Sequence, residues 1–339
     1  MVGNYLPNTK WNKNVWHYLA ERLSKLGWTV MTTSSKENKV LRLTDMLWTV
    51  WNKRKRYTIA QIDVLSFRAF IFAEACSWLL NALHKPIVLT LHGGKLVEFS
   101  KKYPARMKRV LRTAKVVVTP SPFLQTALAA LRPDIRLIPN PIDLSSAIYR
   151  LRETVKPRLI WVRSFHRVYN PSLAPYVLST LRPKFPDLHL WMLGPDKGDG
   201  SLAEMIETAK RLGVIDNIEV VGPVKHTEVP MWLDKADIFL NTTNYDTAPR
   251  SVLEAMANGL CVVSTDVGGI SYIIDDGKTG LLVPPGDADA MASAIQKILT
   301  KPELAKLLSA NAHRKAKKND WSHILPQWEG LFSSLIPNP

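Results

Sequence analysis

The sequence predicts an α/β protein built of two Rossmann-like, doubly wound parallel-sheet domains. Three observations carry this. The chain has 339 residues, more than one ordinary α/β domain holds. Short apolar runs alternate with helical patterns in two successive blocks. Polar loops follow several of those runs, as they do where such sheets bind ligands. Alternation of this kind calls for parallel strands covered on both faces.

In the first block, residues 14–26 read as an amphipathic helix closed by Gly27, and residues 28–33 as a strand. Further strands are expected at 59–64, 86–91, 115–118 and 135–138. Only Met1 and Val2 precede the Gly3 loop, where a buried first strand of about five residues is expected. The second block offers strands at 158–162, 188–193, 218–221, 238–241, 261–264 and 280–283. The charged, proline-containing stretch 144–157 reads as the junction. The expected division is 1–150, 151–318 and a C-terminal helical segment 319–339, whose Trp321, Trp328 and Phe332 call for an apolar surface to dock on.

Hydrophobic residues make up 46% and charged residues 22% of the chain, the balance of a folded soluble protein. No apolar run reaches the roughly 18 residues that span a bilayer, and the N-terminus lacks the basic start and apolar core of a signal peptide. Cys76 and Cys261 make no disulfide framework. A cytoplasmic setting is expected. The formal net charge of +16 points to a polyanionic partner. Lys53-Arg54-Lys55-Arg56 lies beside Trp48, Trp51 and Tyr57, a composition suited to peripheral attachment on an anionic membrane surface. The same residues also suit a solvated helix face with its tryptophans in the core. No helix-turn-helix, RNP or zinc pattern accompanies the charge, so nucleic acid is not an expected partner.

The richest stretch is 237–269. An apolar strand ends in Asn241-Thr242-Thr243-Asn244-Tyr245-Asp246-Thr247-Ala248-Pro249-Arg250, a helix follows from Ser251, and a second strand leads to Thr265-Asp266-Val267-Gly268-Gly269. Free amides at a helix start favour an anion such as a diphosphate. Ser251 and Glu254 also have the spacing of a capping box, and Asp246 also suits a turn. His84, His92, His166, His189 and His226 lack ligand-like spacing, and no metal site is expected.

Asp246 and Glu254, followed by Ala255-Met256-Ala257-Asn258-Gly259, Val262-Val263-Ser264-Thr265-Asp266-Val267-Gly268-Gly269 and Asp276-Gly277-Lys278-Thr279-Gly280-Leu281-Leu282-Val283, resemble the donor-binding signature of the retaining family 4 glycosyltransferases. Thr90-Leu91-His92-Gly93-Gly94 resembles that family's acceptor-side loop, and Pro139-Asn140-Pro141-Ile142-Asp143 its domain junction. The matches run in the family's order over nearly the whole chain. The resemblance implies a GT-B fold, with two domains facing across a cleft. It also implies retaining, metal-independent transfer of a hexose-type sugar from a nucleotide-diphosphate donor to a glycan or lipid-linked acceptor, with no further cofactor.

Residue roles follow from the resemblance. Glu254 is expected to accept hydrogen bonds from the donor ribose, and Asp246 matches the glutamate that faces the transferred sugar. Thr247 and Ala248 are expected to offer backbone groups, and Arg163 and Arg250 positive charge, to the diphosphate. Arg167 and Tyr169 stand where the family carries a lysine. His92 is expected to contact the donor sugar, with Gly93 beside it and Gly3 opening the opposite wall. A nucleotide-sugar epimerase of similar fold and a non-catalytic sugar- or membrane-binding relative remain alternatives.

Overall fold

The computed structural model describes residues 1–3 and 15–336. The chain divides into two compact units, Met1–Pro141 with Ser322–Pro339, and Ile142–Trp321.

The first unit opens with helix α1 (Val15–Lys25), which buries Trp16, Leu19 and Leu23, and continues into α2 (Lys39–Asn52), whose N-cap Asn38 accepts from the Val40 and Leu41 amides. Four parallel strands follow among the described residues, β1 (Ala60–Val64), β2 (Ile87–Leu91), β3 (Val116–Thr119) and β4 (Arg136–Leu137), ordered β1-β2-β3-β4. Between them run α3 (Phe70–Ala82), α4 (Leu96–Lys102), α5 (Pro104–Thr113) and α6 (Pro122–Leu128). Strand β2 is buried along its whole length, so it reads as a continuous apolar run.

The strand expected at 28–33 does not form. Val2 bridges Ile62 on one side and Thr33 on the other, and beyond that bridge the described residues give 28–32 one backbone bond to this segment, from the Met1 amine to Met31 O. A ladder needs a partner strand, and Val2 supplies one rung. Where the pairing stops, a cavity of about 270 Å³ opens, lined by Val2, Leu23, Trp28, Val50, Ala60 and Phe332 among others.

The second unit holds six parallel strands among the described residues: β5 (Arg158–Val162), β6 (His189–Leu193), β7 (Ile218–Gly222), β8 (Ile238–Asn241), β9 (Cys261–Thr265) and β10 (Leu281–Val283). Their order is β10-β9-β8-β5-β6-β7. The order reverses direction at β5, which makes the sheet doubly wound and puts a topological switch point beside the ends of β5 and β8. Helices α7 (Leu173–Leu181), α8 (Ser201–Arg211), α9 (Val229–Lys235), α10 (Arg250–Ala257) and α11 (Ile270–Ile273) connect the strands, and α12 (Ala288–Thr300) and α13 (Pro302–Ala316) follow the last of them. One apolar cluster centres on Leu159, Trp161 and Leu240, a second on Ile160, Phe239 and Val262. Alternate residues of the same strands feed the two clusters, so the sheet is covered on both faces.

The division falls between Pro141 and Ile142, ahead of the expected residue 150. Residues 142–158 are held by the second unit. The Ile142 amide donates to Asn319 O at 2.9 Å and Ile148 N to Asn258 Oδ1 at 2.7 Å. Arg152 is fully buried and donates to Ala236 O and Asn258 O. Its counter-charge is buried Asp237, which also meets Arg150 at 2.9 Å and Arg158 at 3.1 Å. Burial and then neighbouring Arg150 lower the Arg152 pKa to about 10. At the other end, α14 (Trp321–Ser333) contributes Trp328, 5.7 Å from Trp16, and Phe332, 6.0 Å from Trp28. Residues 322–339 thus count with the first unit.

Asp237→Ala leaves the buried Arg152 guanidinium with Asp234, 4.0 Å away and half-exposed, as its remaining counter-ion, and breaking such a buried pair costs about 3–5 kcal/mol. Urea unfolding of the variant should show a loss of that size in the transition of the second unit. A loss below about 1 kcal/mol would mean that the carbonyl acceptors and Asp234 suffice to hold Arg152.

Candidate active site

In the second unit the expected residues gather at the C-terminal edge of the sheet. Strand β5 ends at Val162, which places Arg163 on the first residue beyond it. The Arg163 amide donates to Leu193 O at 3.0 Å. Gly194 faces it so closely that a Cβ there would stand 1.7 Å from Arg163 O, and its φ of +143° suits glycine alone. The loop after β8 brings Asp246 to the same edge, and Arg163 Nη2 meets Asp246 Oδ2 at 2.5 Å. The Tyr169 ring lies 4.9 Å beneath the guanidinium. Tyr169 therefore supports Arg163 through its π face.

Asp246 is held on its other oxygen too. Its Oδ1 accepts from the Thr247 amide at 2.7 Å and the Ala248 amide at 3.3 Å. A donor phosphate that uses these amides must exchange them from Asp246. Gly268 and Gly269 close the loop from behind, and a Cβ on them would stand 2.1 Å from Asp246 O and 1.9 Å from Thr247 O. Gly269 N donates to Asp246 O at 2.9 Å. The glycine pair thus serves close packing against this loop.

The capping box does not form. Helix α10 starts at Arg250 with Pro249 as its N-cap, and no side chain caps it. Ser251 lies inside the helix and Glu254 a full turn in, and the N-cap Pro249 has no N–H for a carboxylate to accept from. Glu254 instead meets His226 Nε2 at 2.8 Å and Arg250 Nη2 at 3.0 Å, both at Oε1. Since Nε2 faces the carboxylate, it carries the proton and donates. Burial acts to raise the Glu254 pKa, but the charge of Arg250, the His226 hydrogen bond and the more distant Arg163 outweigh it and lower it. Glu254 is thus an anion whose side chain is 16% exposed. A cavity of about 20 Å³, room for about one water, lies beside Glu254 and His226.

Arg167 lies farther out. Its side chain is exposed, and its amide is pinned by Asp199 Oδ2 at 2.8 Å. Hydrogen bonds from the Arg167 amide and from Ser201 lower the Asp199 pKa to about 2. Arg250 faces Glu254 and His226. Asp287 and Asp289, spaced as metal-binding carboxylates sometimes are, serve other ends: Asp287 caps α12 through Ala290 N, and Asp289 accepts from Thr180. No group of three potential metal ligands occurs among the described residues.

In the first unit, His92 follows β2 directly, and its amide donates to Val64 O at 3.1 Å. Trp16 packs edge-on against the imidazole, with ring centroids 4.5 Å apart. Its Nε2 is buried without a hydrogen-bond partner among the described residues. Burial lowers the His92 pKa to about 3, so the ring is neutral at physiological pH. Gly93 is required by its contacts, since a Cβ would stand 2.9 Å from Ser66 N. Gly3 donates to Thr33 O at 2.8 Å, and the loop after it lies outside the described residues. Asp63, one strand over from Thr90, takes a hydrogen bond from Gln61 at 2.8 Å. Burial pushes its carboxyl up to about 8.

The sequence matches the Glycosyltransferase Family 4 description over residues 13–146 and the Glycosyl transferases group 1 description over residues 150–315. The chain belongs to the group 1 glycosyltransferases of family 4. Its fold is GT-B. It is 32% identical over 186 residues to a D-inositol 3-phosphate glycosyltransferase of Paenarthrobacter aurescens, covering 52% of this chain and 45% of that protein. It is 28% identical over 216 residues to an exopolysaccharide phosphotransferase of Streptomyces coelicolor, covering 63% and 22%. The matches thus span less than half of either curated relative. Among solved structures, sucrose-phosphate synthase of Thermosynechococcus elongatus is similar with a TM-score of 0.78 at 20% identity, over 94% of this chain and 92% of that one. HepE of Anabaena, solved with UDP and glucose, is similar with a TM-score of 0.75 at 19% identity, over 96% and 90%.

Sequence reasoning did not single out His226 as a partner of Glu254, nor Asp63. Neither motif nor spacing links His226 to Glu254. Only the crossing of α9 and its preceding turn onto α10 joins them.

The His92 shift has a definite sign. Its folded pKa lies below the unfolded one, so the unfolded chain takes up the proton first. The His92 contribution to stability is whole above about pH 6.5 and is lost as pH falls toward about 3. Unfolding free energies of wild type minus His92→Gln, measured across that range, should decline as pH falls. A flat difference would mean an imidazole that titrates normally.

Proposed function

We propose that this protein is a retaining glycosyltransferase that takes a hexose-type sugar from a nucleotide-diphosphate donor to a glycan or lipid-linked acceptor. The observation that carries the reading is the edge of the second sheet. There one guanidinium, Arg163, is braced by Asp246 and Tyr169, and one buried anion, Glu254, presents a second oxygen away from His226 and Arg250.

The chemistry divides among these groups. Glu254 Oε2 accepts from ribose hydroxyls, while Oε1 stays occupied by His226 and Arg250. Arg163 turns from Asp246 to the diphosphate, since a guanidinium pairs two phosphate oxygens at once. The positive end of the α10 dipole favours the same anion. Fixed positive groups aimed at the leaving diphosphate stabilise its growing charge without a metal. In a front-face transfer, a leaving phosphate oxygen takes the proton of the acceptor hydroxyl, and the sugar keeps its configuration. The neutral His92 ring offers a hydrogen bond to the transferred sugar and carries no charge into that step.

Relatives support the donor class. HepE was solved with UDP and glucose and with UDP-glucose, and several relatives carry glycosyltransferase names. The reading includes a cytoplasmic enzyme of polysaccharide or glycolipid synthesis. A nucleotide-sugar epimerase would use the same pocket and consume no acceptor.

A panel of UDP-, GDP- and ADP-sugars tested by thermal shift, with free nucleotide as a second readout, checks the proposal. One donor should stabilise the chain by about 2.7 kcal/mol at a hundredfold excess over its dissociation constant, and acceptor should raise nucleotide release. An interconverted sugar without release would indicate the epimerase. No shift and no release with any donor would indicate a non-catalytic relative.

A further inference from the structure

The first unit leaves large apolar side chains in water on one helical layer, and none of them belongs to the donor site. Strands β1, β2 and β3 run in order across the sheet, so right-handed crossovers place their connecting helices on one face. Helix α2 packs on α3, and α3 on α5. The Arg42 guanidinium, early in α2, stands 5.9 Å over the Phe72 ring, early in α3. The two helices therefore run in step, with Val40 and Ile71 toward one end of the layer and Trp48 and Trp78 toward the other.

Folding does not cover these side chains. Val40 is 71%, Trp48 63%, Trp51 48% and Trp78 74% exposed. On α2, the inward side is taken by buried Met46 and Val50. The outward stripe is Val40, Thr44, Trp48 and Trp51 at helical spacing. An exposed apolar stripe of this kind marks an interaction surface. It also answers the question that the sequence left open about Trp48 and Trp51, which do not enter the core.

The surroundings of the stripe are basic. Lys53, Arg54, Lys55 and Arg56 follow α2 directly, and the Arg54 guanidinium lies 4.4 Å over the Trp51 ring. On α5, Lys108, Arg109 and Arg112 are exposed. Helices α2, α3 and α5 hold two acidic side chains, Asp45 and Glu74, and Glu74 is neutralised by Arg106 at 2.5 Å.

We infer that this layer docks on an anionic lipid bilayer. Tryptophans set at headgroup level and cations beside lipid phosphates are the two halves of an interfacial contact, and the layer carries both. A second copy of this chain fits poorly, because two surfaces of the same strong charge repel. A single nucleic-acid strand would stack on the tryptophans and leave Val40, Leu41 and Ile71 in water. The inference is independent of the donor site, which lies in the other unit.

Vesicle co-sedimentation of the full chain tests it, with phosphatidylcholine vesicles against phosphatidylcholine mixed with phosphatidylglycerol. The chain should pellet with the anionic vesicles, less so as salt rises, with a blue shift of its tryptophan emission. The triple variant W48S/W51S/W78S should weaken this binding about tenfold or more, and K55E/R109E likewise. Both variants should keep the wild-type circular dichroism and donor response, since these side chains are exposed. A wild-type chain that stays in the supernatant with anionic vesicles at low salt would overturn the inference. So would a triple variant that binds as wild type does, or an oligonucleotide that is retained where vesicles are not.

Discussion

The contact between Arg163 and Asp246 ties together two loops that leave neighbouring parallel strands, and the site is built around it. Strands β5 and β8 lie side by side, so the first residues beyond their ends meet at one edge. Gly194 lets the chain pass against the Arg163 carbonyl. Gly268 and Gly269 let the turn after β9 press against the backbone of Asp246 and Thr247. The ion pair is thus confined from three sides by backbone that tolerates no Cβ. The guanidinium is thus held at this edge by Asp246 on one side and by the Tyr169 ring on the other.

Glu254 is positioned by a different logic. A carboxylate this buried is expected to take up a proton, yet the charge of Arg250 and the His226 hydrogen bond keep it ionised. The helix that carries it begins at Arg250, just after Pro249, and no side chain caps it. Behind the site, Asp237 gathers Arg150, Arg152 and Arg158 under the start of β5. The cluster fastens residues 142–158 to the sheet whose opposite edge carries Arg163 and Asp246.

Much of this was legible in the sequence. Strands β5 and β8 fall at the expected residues, because buried parallel strands are continuous apolar runs that end at polar residues. Arg163, Asp246 and Glu254 were found from motif order, and the structure brings the first two together and places Glu254 within electrostatic reach of Arg163. What was not legible depends on partners distant in sequence. Residues 28–33 have the composition of a strand, but only Val2 supplies a rung beside them. The stretch 144–157 looks like a solvated linker until Asp237 is seen to take its arginines. Ser251 and Glu254 have capping-box spacing, but the helix begins two residues too early for it. His226 has no local signal at all.

Glu254 is the carboxylate proposed to hold the donor's ribose. Calorimetric titration of the preferred nucleoside diphosphate into wild type and Glu254→Ala tests this most directly. Removing a charged hydrogen-bonding partner is worth about 1.5–3 kcal/mol, so the variant should bind at least about tenfold more weakly while keeping the folded circular dichroism spectrum. Equal affinity in a folded variant would contradict the account and leave Glu254 as a structural anion for His226 and Arg250.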